Sequence, residues 1–176
     1  MSSSPVVILE TARLVLRKLT LNDLDALAVL YSDPDVRRYF PEKTLTYAET
    51  KEELEWIIDV YYGQYGYGLW ATIFKESGDF IGRCGLLPWE IEGRVEIEVA
   101  YLLDKRYWGR GLATEAARAL ANYAFEQLHA PRVICMADPK NTASTAVAQK
   151  LGMTFDGPGI IEDYPTVMYS MANPNL

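Results

Sequence analysis

Two groups of residues in this chain have types and spacings suited to chemistry. Glu96 and Glu98 stand two apart inside the apolar run 95–103. In a strand, residues two apart share a face. Two carboxylates drawn together out of water raise at least one pKa, which brings a carboxylate toward the range of a general base. The same pair could instead hold a cationic ligand or a neighbouring arginine. The second group is Gly109-Arg110-Gly111-Leu112-Ala113-Thr114, where a strand pattern gives way to a helical one. The first amides of a helix lack internal partners and carry the positive end of its dipole. With two glycines removing side chains ahead of them, the amides of Leu112, Ala113 and Thr114 would be aimed at an anion such as a pyrophosphate. Residues 104–118 hold Lys105, Arg106, Arg110 and Arg118 against Asp104 and Glu115, a local +2 in a chain of net charge −7.

Spacing separates the phosphate readings. A GxxxxGK loop needs a lysine that this segment lacks. A GxGxxG fingerprint needs glycine where Thr114 stands, and belongs after the first strand rather than late in the chain. A tight turn ahead of a packed helix is the structural alternative. Asn141 and Ser144, just past another strand pattern, suit a helix start either as caps or as polar groups facing a ligand. His129, the single histidine, sits before Ala130-Pro131 where a residue decorates a helix end. Cys84 and Cys135 lie in separate apolar runs without CxxC spacing, so they read as reduced core thiols rather than a zinc cluster or disulfide.

Particular elements must position these residues. Alternation over 13–19 predicts a strand, and Thr20-Leu21-Asn22-Asp23 a helix start whose stripe is Leu24, Leu27, Ala28 and Leu30. A second helix is expected over 48–64, with Glu49, Glu52, Glu53 and Glu55 largely solvated. Strands at 69–75 and 80–87 form a hairpin, followed by a strand at 95–103. Ala113, Ala116, Ala117, Leu120, Ala121, Ala124, Phe125 and Leu128 recur at threes and fours, giving a helix of about four turns. A strand at 132–137, a helix at 143–151 ended by Gly152, and strands at 153–155 and 167–171 close the chain. Trp70 and Trp89 read as sheet packing. The class is α/β (α+β) with a mixed sheet.

A chain of 176 residues suits one domain, 1–176. Apolar residues make up 49% and aromatics 12%, against 23% charged, which provides for a packed core and excludes disordered, collagenous and coiled-coil classes. The net charge of −7 argues against nucleic acid or anionic membrane as partners and suits a basic or neutral substrate. No apolar stretch approaches the roughly 20 residues of a membrane span, and the Met-Ser-Ser-Ser-Pro start lacks a leader pattern, so a cytoplasmic location is expected.

Arg106-Tyr107-Trp108-Gly109-Arg110-Gly111-Leu112-Ala113-Thr114-Glu115-Ala116 resembles the acetyl-CoA pyrophosphate loop of the GNAT superfamily, Gln/Arg-x-x-Gly-x-Gly/Ala. The stretch 11–17, Gly82-Arg83-Cys84-Gly85-Leu86 and the segment from Asn141-Thr142-Ala143-Ser144 to Lys150-Leu151-Gly152-Met153 resemble blocks of its RimJ/RimL-like branch, the ribosomal-protein N-terminal acetyltransferases. Met153 departs from the branch's usual phenylalanine. The resemblance covers roughly residues 9–171. It implies a GNAT fold of about seven mostly antiparallel strands and about four helices, splayed between the fourth and fifth strands. It also implies transfer of an acetyl group from acetyl-CoA to a primary amine, of a protein N-terminus or a small molecule, by direct attack in a ternary complex with no metal.

By the same resemblance, Leu102 and Leu103 offer main-chain groups to the cofactor. Arg106, Trp108, Gly109, Arg110, Gly111, Leu112, Ala113 and Thr114 form the loop, and Asn141, Ser144 and Lys150 approach from the later helix. Glu98, completed by Tyr101 into Glu-x-x-Tyr, is the expected base, with Glu96 beside it as the second catalytic candidate. Ser144 would give a proton to the thiolate, and Tyr39 and Phe40 would shape the acceptor entrance. Relatives of this kind include monomers and homodimers. The rival readings are an acyl-CoA-binding sensor without a competent base and a nucleotide-binding oxidoreductase that would bind NAD.

Overall fold

The computed structural model describes residues 5–176; residues 1–4, at the start read above for a leader pattern, lie outside them. Eight strands form one sheet: β1 (Val7–Glu10), β2 (Leu14–Lys18), β3 (Leu69–Phe74), β4 (Phe80–Ile91), β5 (Arg94–Leu103), β6 (Arg132–Ala137), β7 (Thr154–Ile161) and β8 (Tyr164–Ala172). Their order is β1-β2-β3-β4-β5-β6-β8-β7. Every neighbouring pair is antiparallel except β5 and β6. Four α-helices flank the sheet: α1 (Leu24–Tyr31), α2 (Tyr47–Trp56), α3 (Leu112–Glu126) and α4 (Thr142–Leu151).

Local signals explain most of these elements. Thr20 and Asp23 form a capping box ahead of α1, and Thr46 and Glu49 form another at α2. The apolar stripe of α3 buries Ala116, Ala117, Leu120, Ala121, Ala124 and Phe125, and its small residues let the helix lie close on the sheet. Two apolar layers result. One joins α3 and α4 to Val99, Leu103, Leu14 and Leu16. The other joins α1 and α2 to Ala71, Ala100 and Leu102. Alternation along β5 therefore sends Leu103 and Val99 to one face and Leu102, Ala100, Glu98 and Glu96 to the other.

Three details differ from the sequence reading. β1 is an eighth strand, short and edge-lying, with Val7 half-exposed, so alternation in sequence does not reveal it. The second helix turns π-helical at Ile57–Tyr65 before Gly66 ends it, a widening associated with functional sites. β7 runs through Gly157, Pro158 and Gly159, residues that argue against a strand but are tolerated at an edge.

The expected splay is present, and with β1 counted it lies between β5 and β6. These strands are in register only at Glu98↔Ile134. The Cys135 thiol still reaches the Val99 carbonyl at 3.5 Å. Further along, α4 stands opposite β5, and the Tyr101 hydroxyl lies 3.0 Å from both the carbonyl and Oγ of Ser144.

Candidate active site

A cavity of about 520 Å³ opens at this splay. The turn ahead of α3, the end of β5, the start of α4 and the loop around Tyr39 and Phe40 meet in its wall. Leu102, Leu103, Trp108, Gly109, Gly111, Leu112, Ala113, Thr114, Asn141, Ser144 and Lys150 all line it. Arg106, Arg110, Glu96 and Glu98 do not line it.

The turn ahead of α3 is built to leave its amides available. Gly109 and Gly111 have φ of 70° and 76°, a left-handed geometry that glycine adopts without strain. Gly111 is the N-cap and offers no side chain to the first amides of α3. Glu115 could compete for them, but its carboxylate accepts from the Thr11 hydroxyl at 2.6 Å and from Arg13 N and Nε at 2.9 and 2.7 Å. The nearby cations are less available than their local excess implied. Arg106 is clamped by Asp104 at 2.6 Å, and Lys105 bridges Asp33 and Asp35 at 2.9 and 3.1 Å. The Arg110 guanidinium stacks over Phe74 and Tyr107, 4.8 and 5.2 Å from the ring centres. These partners correct the expectation that Arg106 and Arg110 face the ligand. Anion attraction at the turn rests on backbone amides, with Lys150 in the wall.

The ladder between β4 and β5 distinguishes the two leucines. The Asp104 amide donates to the Ile81 carbonyl at 2.7 Å. Antiparallel strands alternate inward and outward main-chain groups, so Leu102 bonds toward β4 and Leu103 faces the splay. Trp108 Nε1, which donates to the Leu103 carbonyl at 2.8 Å, agrees with this direction. At the start of α4, Asn141 Oδ1 accepts from the Ser144 amide at 3.1 Å, so the expected cap exists while both residues stay in the cavity wall.

The two glutamates have different surroundings. Glu96 is held by Arg132, whose Nε and Nη2 approach its oxygens at 2.9 and 2.5 Å. This pairing corrects the catalytic assignment of Glu96, because both of its oxygens are occupied. Glu98 is 9% exposed and accepts from Trp89 Nε1 at 2.7 Å. Burial pushes its pKa up to about 7, while the Trp89 hydrogen bond, the Arg83 charge and the Met136 amide act in the opposite direction. Glu98 is thus poised to accept a proton near neutral pH.

Residues 13–154 match the family described as Acetyltransferase (GNAT) domain. The chain belongs to the GNAT acetyltransferase family. It is similar to an uncharacterized N-acetyltransferase p20 of Bacillus licheniformis, 35% identical over 89% of this chain and 86% of that protein. An acetyltransferase of Agrobacterium tumefaciens str. C58 is similar in structure, with a TM-score of 0.80 and 28% identity over 97% of this chain and 96% of that one. RimL, a ribosomal-protein alpha-N-acetyltransferase solved in complex with coenzyme A, has the same fold, with a TM-score of 0.77 and 19% identity over 94% and 97% of the two chains.

Acetyl-CoA is the co-substrate of GNAT acetyltransferases, and the groups present suit it: free amides for a diphosphate, a cavity at the splay for pantetheine and an outward-facing main chain at Leu103. Two partners of the glutamates were not recognised from sequence. Trp89 binds Glu98 rather than only packing, and Arg132 neutralises Glu96. The signal for Trp89 was its place just past the strand expected at 80–87, which the structure extends to Ile91 so that the β4–β5 hairpin sets it opposite Glu96. Arg132 had no such signal, because its contact depends on the parallel pairing of β5 with β6. Trp70 does pack as expected, fully buried with its ring 5.4 Å from Tyr123.

Proposed function

We propose that residues 1–176 work as one domain that transfers an acetyl group from acetyl-CoA to a primary amine, by direct attack while both substrates are bound. The free α3 amides and the Leu103 main chain at the cavity, with a buried carboxylate of pKa near 7 where β5 and β6 still pair beside it, support this reading. The α3 amides hold the diphosphate, and the Leu103 amide faces the thioester oxygen as negative charge develops there. Glu98 takes a proton from the ammonium, directly or through water. The amine nitrogen then forms its bond to the acetyl carbon as the carbon–sulfur bond breaks. Ser144, fixed beside Tyr101, supplies a proton to the leaving thiolate and regains one as the nitrogen gives up its second proton.

The RimJ/RimL-like branch is supported by the sequence blocks at 11–17, 82–86 and 141–153, and a cytoplasmic monomer or homodimer is consistent with it. The sensor reading is less favoured, since a sensor needs no buried carboxylate poised for proton transfer. A thiol-release assay with acetyl-CoA and a panel of amines and peptide N-termini tests the proposal. Acceptor-dependent release that Glu98→Gln suppresses is expected. Binding of acetyl-CoA without release for any acceptor would establish the sensor reading instead.

A further inference from the structure

On the α1 and α2 face of the sheet, a second group of polar side chains lies beside Glu98 and has no part in the chemistry described above. Arg83 pairs directly with Leu102, so it shares a face with Glu98, four residues further back along β5. It is only 5% exposed. Its Nε donates to the Tyr31 hydroxyl at 2.5 Å. Among the described residues, its two Nη groups donate to no protein atom. They are also not among the fully buried unpartnered atoms, which are Trp70 Nε1 and Thr72 Oγ1, so they keep a slight contact with solvent.

Tyr61 covers the sheet between Arg83 and Glu98. A Cβ at Gly68 would lie 2.6 Å from Tyr61 Cβ, so the missing side chain there lets this tyrosine settle onto the sheet. Among the described residues its hydroxyl makes no hydrogen bond, and the charges of Arg83 and Glu98 both act on it.

Two buried guanidiniums lie on this face, and among the described residues no carboxylate bonds to that of Arg83. Arg37, 2% exposed, lies with Arg83 against the same two rings. The Arg37 guanidinium is 4.8 and 4.6 Å from the Tyr31 and Phe40 ring centres, and that of Arg83 is 5.5 and 5.7 Å from them. Facing them are Glu53, which accepts from the Tyr31 hydroxyl at 2.8 Å, the largely exposed Glu42 at 3.5 Å from Arg37, and Glu98. Arg37 has Glu42 as its ion pair, whereas the Arg83 side chain has the Tyr31 hydroxyl as its hydrogen-bond partner and no carboxylate of its own among the described residues. An uncompensated buried charge is costly and calls for an anion. Phe40 also forms part of the cavity wall, which places this cationic group next to the splay.

We infer that the acceptor is a primary amine that also carries a carboxylate, received by Arg83 and Tyr61 while its nitrogen faces Glu98. The inference rests on the acetyl-transfer reading and specifies its substrate class. It revises the basic or neutral substrate suggested by net charge, because the local field decides what binds at a buried site. Four residues of strand span about 13 Å between Cα atoms. The reach of both side chains shortens that gap to one a small amino acid or an acidic N-terminal residue can bridge.

The test measures kcat/KM by thiol release for matched acceptors: α-, β- and γ-amino acids, their carboxamides and their decarboxylated amines. Peptides beginning with Asp or Glu, and with Asn or Gln, form a second arm that distinguishes a free amino acid from a protein N-terminus. A carboxylate preference of about tenfold or more over the amide is expected in at least one arm. Arg83→Gln and Tyr61→Phe are expected to reduce that preference severalfold through KM for the carboxylate acceptor, without weakening coenzyme A binding. Tyr61→Phe decides the outcome if Arg83→Gln does not fold. Equal turnover of carboxylates and amides, or a preference unchanged in the folded variants, overturns the inference while leaving acetyl transfer intact. No turnover of any acceptor overturns both.

Discussion

Glu96 and Glu98 share a side-chain type, a strand and a face, and their partners set them apart. Arg132 neutralises Glu96, whereas burial outweighs the hydrogen bond and charge acting on Glu98. A base must be ionised to accept a proton, so kcat/KM for the amine should rise with pH through about 7, the value set for Glu98. Trp89→Phe removes a hydrogen bond that lowers this pKa, so the rise should move to higher pH. Glu98→Gln should lower kcat by about 10²–10³-fold and leave coenzyme A affinity in place. A pH–rate profile over pH 5–9 checks all three. A profile with no rising limb near neutrality contradicts the assignment. Glu96→Gln should behave differently, costing on the order of 1–2 kcal/mol of stability, a modest figure because Arg132 is one-third exposed. Thermal denaturation would measure this loss, and a kcat loss as deep as that of Glu98→Gln would show that Glu96 shares the proton-transfer role.

The elements supply the geometry that the residues use. Gly82, with φ of 151°, lies where a Cβ would collide with the Leu102 carbonyl and come within 2.9 Å of Leu103 Cα. Gly82→Ala should therefore displace the end of β5, lowering both the thermal midpoint and kcat. Steady-state kinetics beside a melting curve would test this, and unchanged values for both would contradict the role given to β5. Much at this scale was legible in sequence. The stripe from Ala113 to Leu128 gave α3 because its small residues recur at helical spacing, and alternation gave β2. The π-helical turn at Ile57–Tyr65 and the edge strands β1 and β7 were not legible. Their backbones follow from what packs beside them rather than from their own pattern.

For the whole molecule, net charge does not show where the cations lie. The chain carries −7, its loop cations are taken up by Asp104, Asp33 and Asp35, and Arg37 and Arg83 lie buried against Tyr31 and Phe40. Motif reading located the α3 turn and α4, and singled out Glu98, because each depends on local spacing. It could not find Arg132 beside Glu96, or Arg83 and Tyr61 near Glu98, because those neighbours are set by strand pairing and by chain segments that cross the sheet. The free amides at the start of α3 are the feature on which the reading of the cavity depends most. Proline is tolerated in a helix's first turn and removes a single donor, so Ala113→Pro isolates one of these amides. Calorimetric titration of coenzyme A into the native chain and into Ala113→Pro tests this directly. One-to-one binding that the variant weakens by about tenfold or more is expected, in line with the loss of one hydrogen bond to a charged group. No binding to the native chain, or equal affinity for both proteins, would contradict the account.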